Sequence, residues 1–273
     1  PTLLDMTGSN KPAELEFDGV SVKALLDPTV DADWPERFVV SDSQRVRDPI
    51  KWKSSSVMSQ RWRLINGKEL YDIKADPGQK KDVAADHPEQ VAKMRAFYEE
   101  WWADIEPTFS QTTAIHLGHP DHPRVSMTSH DWIGIQGVPW NQGHIRNGYV
   151  PKGGANHDAY WAVKVLTAGK YTFELRRWPA EADKPINAAL PAEPNVPGAS
   201  KAFRANPGKG FEFVSAHLVV DGKTVAGGKL EPGATHARFT HELNAGPYKL
   251  SPIFKTAEGR EIGAYYLIVT PAD

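Results

Sequence analysis

The sequence predicts an α+β fold over residues 1–107, with a small antiparallel sheet and a C-terminal helix, followed by an all-β sandwich domain over residues 108–273. Three observations lead to this prediction. A hairpin pattern and one long amphipathic helix pattern occupy the first part, whereas short strand patterns separated by turn residues fill the second. The first part is net acidic and the second net basic. Two domains also suit this length, since a domain usually holds about 100–200 residues.

The composition limits the function classes. With 40% hydrophobic and 24% charged residues the chain is typical of globular proteins, and a net charge of −2 gives no reason to expect a nucleic-acid partner. The absence of cysteine excludes disulfides, thiolate metal sites and a cysteine nucleophile. No apolar run approaches the roughly 18 residues that a membrane span needs, so no membrane partner is expected.

A β-hairpin is the clearest feature of the first part. The strand patterns 60–65 and 68–73 flank Asn66-Gly67, a pair that tolerates the positive φ angles of a type I′ turn. Three shorter patterns precede it and predict a helix, then a turn with a short helix, then a buried strand, over residues 1–8, 17–26 and 37–41.

A long helix is predicted after the hairpin. Asp86 can cap the free amides of its first turn, and Pro88 and Glu89 suit the positions that follow. Apolar residues then recur at helical spacing and form one stripe, interpreted as a core face: Val91, Met94, Tyr98, Trp101 and Ile105. Pro107 ends the helix, and we place the domain boundary directly after it.

The second part contains strand patterns and one long proline-rich segment. The predicted strands cover residues 124–131, 159–166, 171–178, 211–221, 236–243, 248–254 and 261–269. Between Pro179 and Pro207 the composition is rich in proline, alanine and asparagine, which cannot supply a strand ladder, so a long surface loop or lid is expected.

Histidines suggest one possible metal site. His116, His119 and His122 recur at three-residue spacing, and imidazole suits zinc. Gly118 and Pro120 break any helix there, so the spacing does not place the three rings on one face. We interpret the segment as a polar linker between the domains and assign no metal site.

Aromatic and basic residues offer two candidate binding sites. Trp132, Trp140 and Trp178 could stack on a sugar, although a tryptophan-rich core is the preferred explanation, since large aromatic side chains are mostly buried. Arg45, Trp52 and Lys53 could contact an anionic substrate, with solvated charges around a buried tryptophan as the alternative. Nucleotide-binding loops, a Gly-x-Ser-x-Gly turn and a His-Glu-x-x-His motif are absent, so the residues alone do not indicate a complete enzyme.

An ordered series of segments in the first part resembles the C-terminal part of bacterial arylsulfatases, members of the alkaline-phosphatase-like superfamily. The segments are Pro1–Gly8 (PTLLDMTG), Phe17–Ser21 (FDGVS), Arg61–Leu64 (RWRL), Glu69–Ile73 (ELYDI), Asp76–Gln79 (DPGQ) and the helix that begins at His87-Pro88. In that family the first segment is the last helix of the catalytic domain, and the others form a small C-terminal subdomain.

The resemblance implies that catalysis resides in an N-terminal catalytic sulfatase domain of the same polypeptide. There a formylglycine made from cysteine or serine, together with a calcium ion, acts on the sulfate ester. The chain starts at Pro1 without an initiator methionine, so we expect this domain upstream, no cofactor in the chain itself and no activity of the chain alone. The resemblance also implies a periplasmic or secreted protein, with Arg45, Trp52 and Lys53 facing the substrate.

The second part resembles the galactose-binding type of jelly roll that is appended to carbohydrate-active enzymes. The segments behind this are Tyr160–Val165 (YWAVKV), Ala168–Trp178 (AGKYTFELRRW) and Leu218–Gly222 (LVVDG). The leading hypothesis is thus the C-terminal region of a sulfatase that acts on aryl or carbohydrate sulfates, with a sulfated carbohydrate as a candidate partner. The alternatives are a non-catalytic carbohydrate-binding module, with stacking by Trp132, Trp140 and Trp178, and a structural module that serves as a spacer or dimerises.

Overall fold

The computed structural model describes residues 1–29, 34–44, 46, 48–134, 139, 141–149, 159–194, 197–198 and 205–272. The chain divides into two compact units, Pro1–Phe109 and Ser110–Asp273. The boundary expected from the sequence lies two residues earlier, after Pro107.

The first unit contains a four-stranded antiparallel sheet and a long helix. Its sheet order is β1-β2-β3-β4. In chain order the elements are α1 (Thr2–Thr7), α2 (Lys23–Leu26), β1 (Val39–Asp42), β2 (Ser55–Met58), β3 (Trp62–Ile65), β4 (Glu69–Asp72) and α3 (Pro88–Ile105). The sequence patterns missed β2, and the strand expected to be buried, β1, is instead a largely exposed edge of the sheet.

The predicted hairpin is confirmed. Asn66 and Gly67 have φ angles of 49° and 66° between β3 and β4, as a type I′ turn requires. The amide of Lys68 donates to the carbonyl of Ile65 at 2.9 Å and closes the turn. The Asn66 side chain also accepts a hydrogen bond from the amide of Ser55 at 3.1 Å, which ties the turn to β2.

Helix α3 covers the sheet of the first unit. It begins one residue later than Asp86 would allow as a cap, and His87 occupies the cap position without a side-chain hydrogen bond. Met94, Tyr98 and Trp102 are its buried residues, whereas Trp101, which the stripe included, is only half-buried. These side chains pack on Val57, Trp62, Leu64 and Leu70 of the sheet and form the core of this unit.

The second unit consists of two sheets around one core, as expected for a β-sandwich. One sheet has seven strands in the order β14-β13-β9-β12-β7-β5, with β10 also paired to β9, and the other has the order β11-β8-β15-β6. The elements are β5 (Ile115–Leu117), β6 (Val125–Thr128), α4 (Gln142–Asn147), β7 (Trp161–Val165), β8 (Gly169–Arg176), β9 (Phe213–Val220), β10 (Lys223–Lys229), β11 (Ala237–Leu243), β12 (Gly246–Leu250), β13 (Ile253–Thr256), β14 (Glu261–Gly263) and β15 (Tyr266–Pro271).

Several predicted strands differ in detail. Residues 248–254 divide into β12 and β13 around Pro252, which has no amide to donate to a ladder. Residues 261–269 divide into β14 and β15, and β10 was not predicted. His116 lies in β5, which pairs in parallel with β7, so the histidine-rich segment is not the polar linker that was expected: the buried Leu117 holds it to the sandwich.

The described part of the proline-rich segment is anchored to the sandwich at its beginning. Ile186 is buried, and the amide side chain of Asn187 pairs with both backbone groups of Phe213 at 3.0 Å. The guanidinium of Arg177 donates to the carbonyls of Ile186 and Ala188. The segment is therefore not a free lid at this end.

Candidate functional site

The structure places Trp52 within the fold of the first unit. Its indole stacks on Tyr98 with the ring centroids 3.7 Å apart, and its ring nitrogen donates to Glu99 at 2.9 Å. The guanidinium of Arg95 lies 5.3 Å from the ring centroid. Both faces of the half-buried indole thus have neighbours inside the unit, while Lys53 is exposed. Arg45 lies outside the described residues.

The prediction that tryptophans stack on a sugar needs correcting. Trp132 is only 7% exposed and packs edge-on against Trp161 at 5.3 Å. Trp178 is 3% exposed, its ring nitrogen donates to the carbonyl of Pro185, and the guanidinium of Arg177 covers its ring at 4.3 Å. Both are core residues, because large aromatic side chains gain most from burial. Trp140 lies outside the described residues.

One sequence pattern is relevant to the expected formylglycine. Ser200–Arg204 (SKAFR) matches Ser-x-Ala-x-Arg, one form of the motif whose cysteine or serine becomes formylglycine in the family that the first part resembles. It falls outside the described residues and follows the segments that resemble sulfatases, whereas the motif of that family precedes them. We therefore assign no catalytic role to Ser200.

A polar groove runs along the outer face of the four-stranded sheet of the second unit. Along β8 the side chains alternate, so that Tyr171, Phe173 and Leu175 are buried while Glu174 and Arg176 face outward. The neighbouring strands β6, β11 and β15 alternate in the same way. We call this surface, lined by Arg124, Glu174, Arg238 and Tyr266, the sheet groove.

Cross-strand register brings distant parts of the chain together in the sheet groove. Tyr266 lies opposite Thr128 on one side and Arg176 on the other. In the next outward row, Ile268 lies between Ser126 and Glu174. Directly opposite residues have their Cβ atoms about 4.5–5.5 Å apart, so each row presents a continuous strip of side chains.

Three adjoining cavities follow the sheet groove. A cavity of about 370 Å³ is lined by Arg124, Glu174 and Arg238, and one of about 210 Å³ shares Arg124 with it. A third, of about 480 Å³, shares Thr128 and Tyr266 with the second and reaches α4. Together they form an open depression of the size that small-molecule and oligosaccharide ligands occupy.

The charges of the groove are arranged around one carboxylate. Glu174 accepts hydrogen bonds from Arg176 at 2.5 Å and from Arg238 at 3.1 Å. Burial by itself would raise the pKa of Glu174, but these two hydrogen bonds outweigh it and hold the pKa below its ordinary value. Burial also lowers the pKa of the neighbouring His236, which favours a neutral ring at pH 7.

Among the arginines of the groove, Arg124 has the least of its positive charge balanced by neighbouring carboxylates. It donates to the hydroxyl of Ser126 at 2.9 Å, and no carboxylate of the described residues forms an ion pair with it. The side chain of Arg238 is 60% exposed despite its bond to Glu174. Glu181 also lines the middle cavity. With this carboxylate included, the side chains of the whole groove carry a small net positive charge.

The described residues contain neither a metal-binding cluster nor a membrane-spanning helix. Across the described ranges, no three histidine, aspartate or glutamate side chains come together in a way that could hold a metal ion. The helices within those ranges are too short or too polar to cross a membrane.

Sequence reasoning missed the sheet groove. The alternation of polar residues in 124–128 and 170–176 is visible in the sequence and indicates a solvent-facing side for each strand. It does not show that these strands share a sheet with Tyr266 and Arg238, because that depends on pairing between residues more than 60 positions apart.

Comparison with known proteins gives a related sequence and several remote structural likenesses. No family model matches the chain. It is 31% identical over 113 residues to a Δ4,5-hexuronate-2-O-sulfatase of Bacteroides thetaiotaomicron, a match that covers 37% of this chain and 22% of that protein. The chain thus matches about a fifth of the length of this relative.

Two of the structural likenesses are to mannanases. The GH26-CBM35 β-(1,4)-mannanase of Podospora anserina matches 55% of this chain and 28% of its own, with 14% identity and a TM-score of 0.31. A ruminal GH26 endo-β-1,4-mannanase matches 57% of this chain and 27% of its own, with 18% identity and a TM-score of 0.31. TM-scores at this level are too low to bear on function.

Proposed function

We propose that this chain is the C-terminal region of a sulfatase that hydrolyses sulfate esters, with sulfated carbohydrates as the substrate class. The observation that carries the proposal is the 31% identity over 113 residues to a hexuronate 2-O-sulfatase. The ordered segments of the first unit support it, because the same series resembles the end of the arylsulfatase fold. Aryl sulfates are the other substrate class that this resemblance implies.

The surface of the first unit fits a role in completing a larger domain. Helix α1 has no buried residue, and Leu3 is 77% exposed. Leu25 and Leu26 of α2 are also largely exposed. Exposed apolar side chains that lie close together are typical of a surface that another domain covers. Under this proposal the covering domain is the N-terminal catalytic domain, which holds the formylglycine and the calcium ion.

The proposal assigns this chain a supporting role in a periplasmic or secreted enzyme. The first unit stabilises the catalytic domain, and Lys53, which is exposed, remains a candidate for contact with an anionic substrate. Trp52 is a weaker candidate, since its indole is engaged by Tyr98 and Glu99. Arg45 keeps the role that the resemblance implies for it.

The test uses the polypeptide encoded by the complete reading frame. We expect it to contain a Cys/Ser-x-Pro/Ala-x-Arg motif before Pro1, to carry formylglycine by mass spectrometry, and to release sulfate from a 2-O-sulfated unsaturated uronate disaccharide. A parallel assay with p-nitrophenyl sulfate separates carbohydrate from aryl sulfates. A reading frame without that motif upstream, or a full-length protein that releases sulfate from neither substrate, would overturn the proposal.

A second candidate function is carbohydrate binding by the second unit, without catalysis. The sheet groove favours it, since an open depression lined by hydroxyl, amide and guanidinium groups suits a sugar chain. Calorimetric titration of the chain with a panel of neutral and charged oligosaccharides tests this role. Binding of none of them would instead favour the structural module. Analytical sedimentation at high protein concentration would then show whether this module dimerises.

A further inference from the structure

We propose that the sheet groove binds an anionic oligosaccharide, with Arg124 and Arg238 holding a sulfate or carboxylate group of the sugar. This inference rests on the proposed carbohydrate-binding role of the second unit and names the chemical class of its ligand. It adds a binding function of the second unit to the proposed sulfatase region.

The first step in the argument is the shape of the surface. The three cavities form a series because each shares residues with the next, Arg124 and Ile268 at one junction and Thr128 and Tyr266 at the other. Four strands spaced about 4.8 Å apart span about 14 Å across the sheet. A surface of this shape suits an extended chain of sugar rings better than a single compact molecule.

The second step is the charge at one end of the groove. Arg124 and Arg238 line the same cavity of about 370 Å³. The carboxylate in that cavity, Glu174, already accepts hydrogen bonds from Arg176 and Arg238. The guanidinium of Arg124 donates to the hydroxyl of Ser126 and forms no ion pair with a carboxylate of the described residues. An anionic group of the ligand would therefore form an ion pair with Arg124 in this cavity.

Guanidinium geometry favours oxyanions in that position. Its planar fork of N–H donors matches two oxygens of a sulfate or carboxylate, and such charge-assisted bonds are about twice as strong as neutral ones. Glu174 keeps Arg238 oriented toward the cavity from the neighbouring strand at 3.1 Å. Glu174 is thus a positioning residue. It restrains the guanidinium of Arg238 and does not neutralise that of Arg124.

The third step is the lining between the charged end and α4. Ser126 and Thr270 face outward and offer hydroxyl groups to the hydroxyls of a sugar. Tyr266 and Ile268 offer apolar surface at the centre of the groove, and tyrosine combines such surface with a polar tip. Polar groups for orientation and one aromatic platform are the combination that recognises a carbohydrate chain.

Calorimetric titration of the complete chain tests the proposal with four probes. They are a heparin-derived tetrasaccharide, the same tetrasaccharide after desulfation, a neutral mannotetraose, and inorganic polyphosphate of similar charge. We expect binding of the first two, at least tenfold weaker binding of mannotetraose, and no saturable binding of polyphosphate. Equal affinity for neutral and charged tetrasaccharides, or for polyphosphate and the sulfated sugar, would overturn the inference.

Two variants and a matched control locate the site. Arg124→Ala and Arg238→Ala should each weaken binding of the sulfated tetrasaccharide at least tenfold, and Arg124→Lys should recover part of the loss. Lys229→Ala removes an exposed positive charge from β10 on the other sheet and should leave the affinity unchanged. If Arg124→Ala binds like Lys229→Ala, the groove is not the site.

The outcomes distinguish this inference from the functions it rests on. Binding of every sugar with no preference for charge would preserve the carbohydrate-binding role and reject the anionic ligand. Binding of none would reject both. Sulfate release by the complete reading frame is measured separately, so the sulfatase proposal stands or falls independently of the groove. The variants at Arg124, Arg238 and Lys229 should unfold at the same temperature as the parent chain, which checks that they fold.

Discussion

Gly67 lies directly against the indole of Trp52. A β-carbon built on Gly67 would lie 2.8 Å from the indole ring, closer than real side chains approach. Tyr98 of α3 stacks on the same indole at a centroid distance of 3.7 Å. The Asn-Gly turn and the two aromatic side chains are therefore parts of one packing unit, which makes the indole a weaker candidate for contact with a substrate.

Gly67→Ala is expected to destabilise the first unit by about 2–4 kcal/mol. The positive φ angle of 66° costs a residue with a β-carbon about 1–2 kcal/mol, and displacing the indole adds a similar overpacking cost. Hydrogen exchange of peptides covering β3 and β4 in the complete chain measures the loss as reduced protection of their amides.

Gly78→Ala provides the control for that experiment. Gly78 lies in the next turn of the same unit, and its added β-carbon would meet the flexible side chain of Lys80 at 3.4 Å and a carboxylate oxygen of Asp76 at 3.6 Å, both ordinary contact distances. We expect a change within about 1 kcal/mol. Equal amide protection of β3 and β4 in the two variants would show that the close contact between Gly67 and Trp52 does not limit which residue can occupy position 67.

Arg177 is the second position where a substitution should be costly. Its fully buried guanidinium donates to the carbonyls of Arg146, Ile186, Ala188 and Lys209. Burial lowers its pKa to about 10, so the group is still charged at pH 7. Arg177→Met keeps the length of the side chain and removes the donor from the carbonyls of Ile186, Ala188 and Lys209, which should cost at least about 3 kcal/mol at about 1–3 kcal/mol for each buried group.

Urea unfolding of the second unit, followed by near-ultraviolet circular dichroism, measures that loss. Arg238→Met is the matched variant, because it removes a guanidinium that is 60% exposed from the same unit. An exposed ion pair contributes about 0–1 kcal/mol, so its midpoint should shift little. Similar midpoints for the two variants would contradict the structural role of Arg177.

Asn187 anchors the proline-rich segment to the edge of the sandwich. Its amide nitrogen donates to the carbonyl of Phe213 and its oxygen accepts from the amide of Phe213, both at 3.0 Å. Asn187→Leu removes both bonds and should cost about 1–3 kcal/mol, since the backbone groups of Phe213 lose their partner. Limited proteolysis should then cut the segment faster than in the parent chain. Cleavage at the parent rate would refute the anchoring role.

The stability of the second unit should depend on pH. Burial lowers the pKa of His144, His217 and His236. An unfolded histidine takes up a proton near pH 6.5, whereas these folded side chains take it up at lower pH, so over this range the unfolded chain binds more protons. Stability should therefore be fully present above about pH 7 and decline as the pH falls toward 5.

Thermal unfolding from pH 8 to pH 5 checks this expectation. The lowered pKa of Glu174 acts in the same direction at more acid pH, because its charged form stabilises the fold and is lost below its ordinary range. A double variant, His217→Gln with His236→Gln, should flatten the profile above pH 5. A parent profile that is flat or rises on acidification would exclude the proposed protonation effect.

Local patterns explain which elements were predictable. The hairpin depends on Asn66 and Gly67, whose positive φ angles are a local property of those residues. Helix α3 follows from Pro88 and the spacing of Met94 and Tyr98. Both features depend on residues within one or two turns of each other, so the sequence contains the information directly.

Pairing and burial between distant segments were not predictable. The partner of β5 is β7, nearly 50 residues later, so the sequence around His116 was taken for a linker. Whether Trp132 and Trp178 face a ligand or the core depends on which sheet face covers them, and composition does not contain that information.

By itself, the sequence determined the two-part organisation, the hairpin, the long helix and most of the strands, because each follows from periodicity and turn chemistry over a few neighbouring residues. Only the tertiary structure decided that Trp132 and Trp178 are buried and that Arg124, Glu174, Arg238 and Tyr266 share one groove. The physical reason is that a sheet joins strands through backbone hydrogen bonds, which any residues can make, so side chains far apart in sequence become neighbours through a register that no short pattern records.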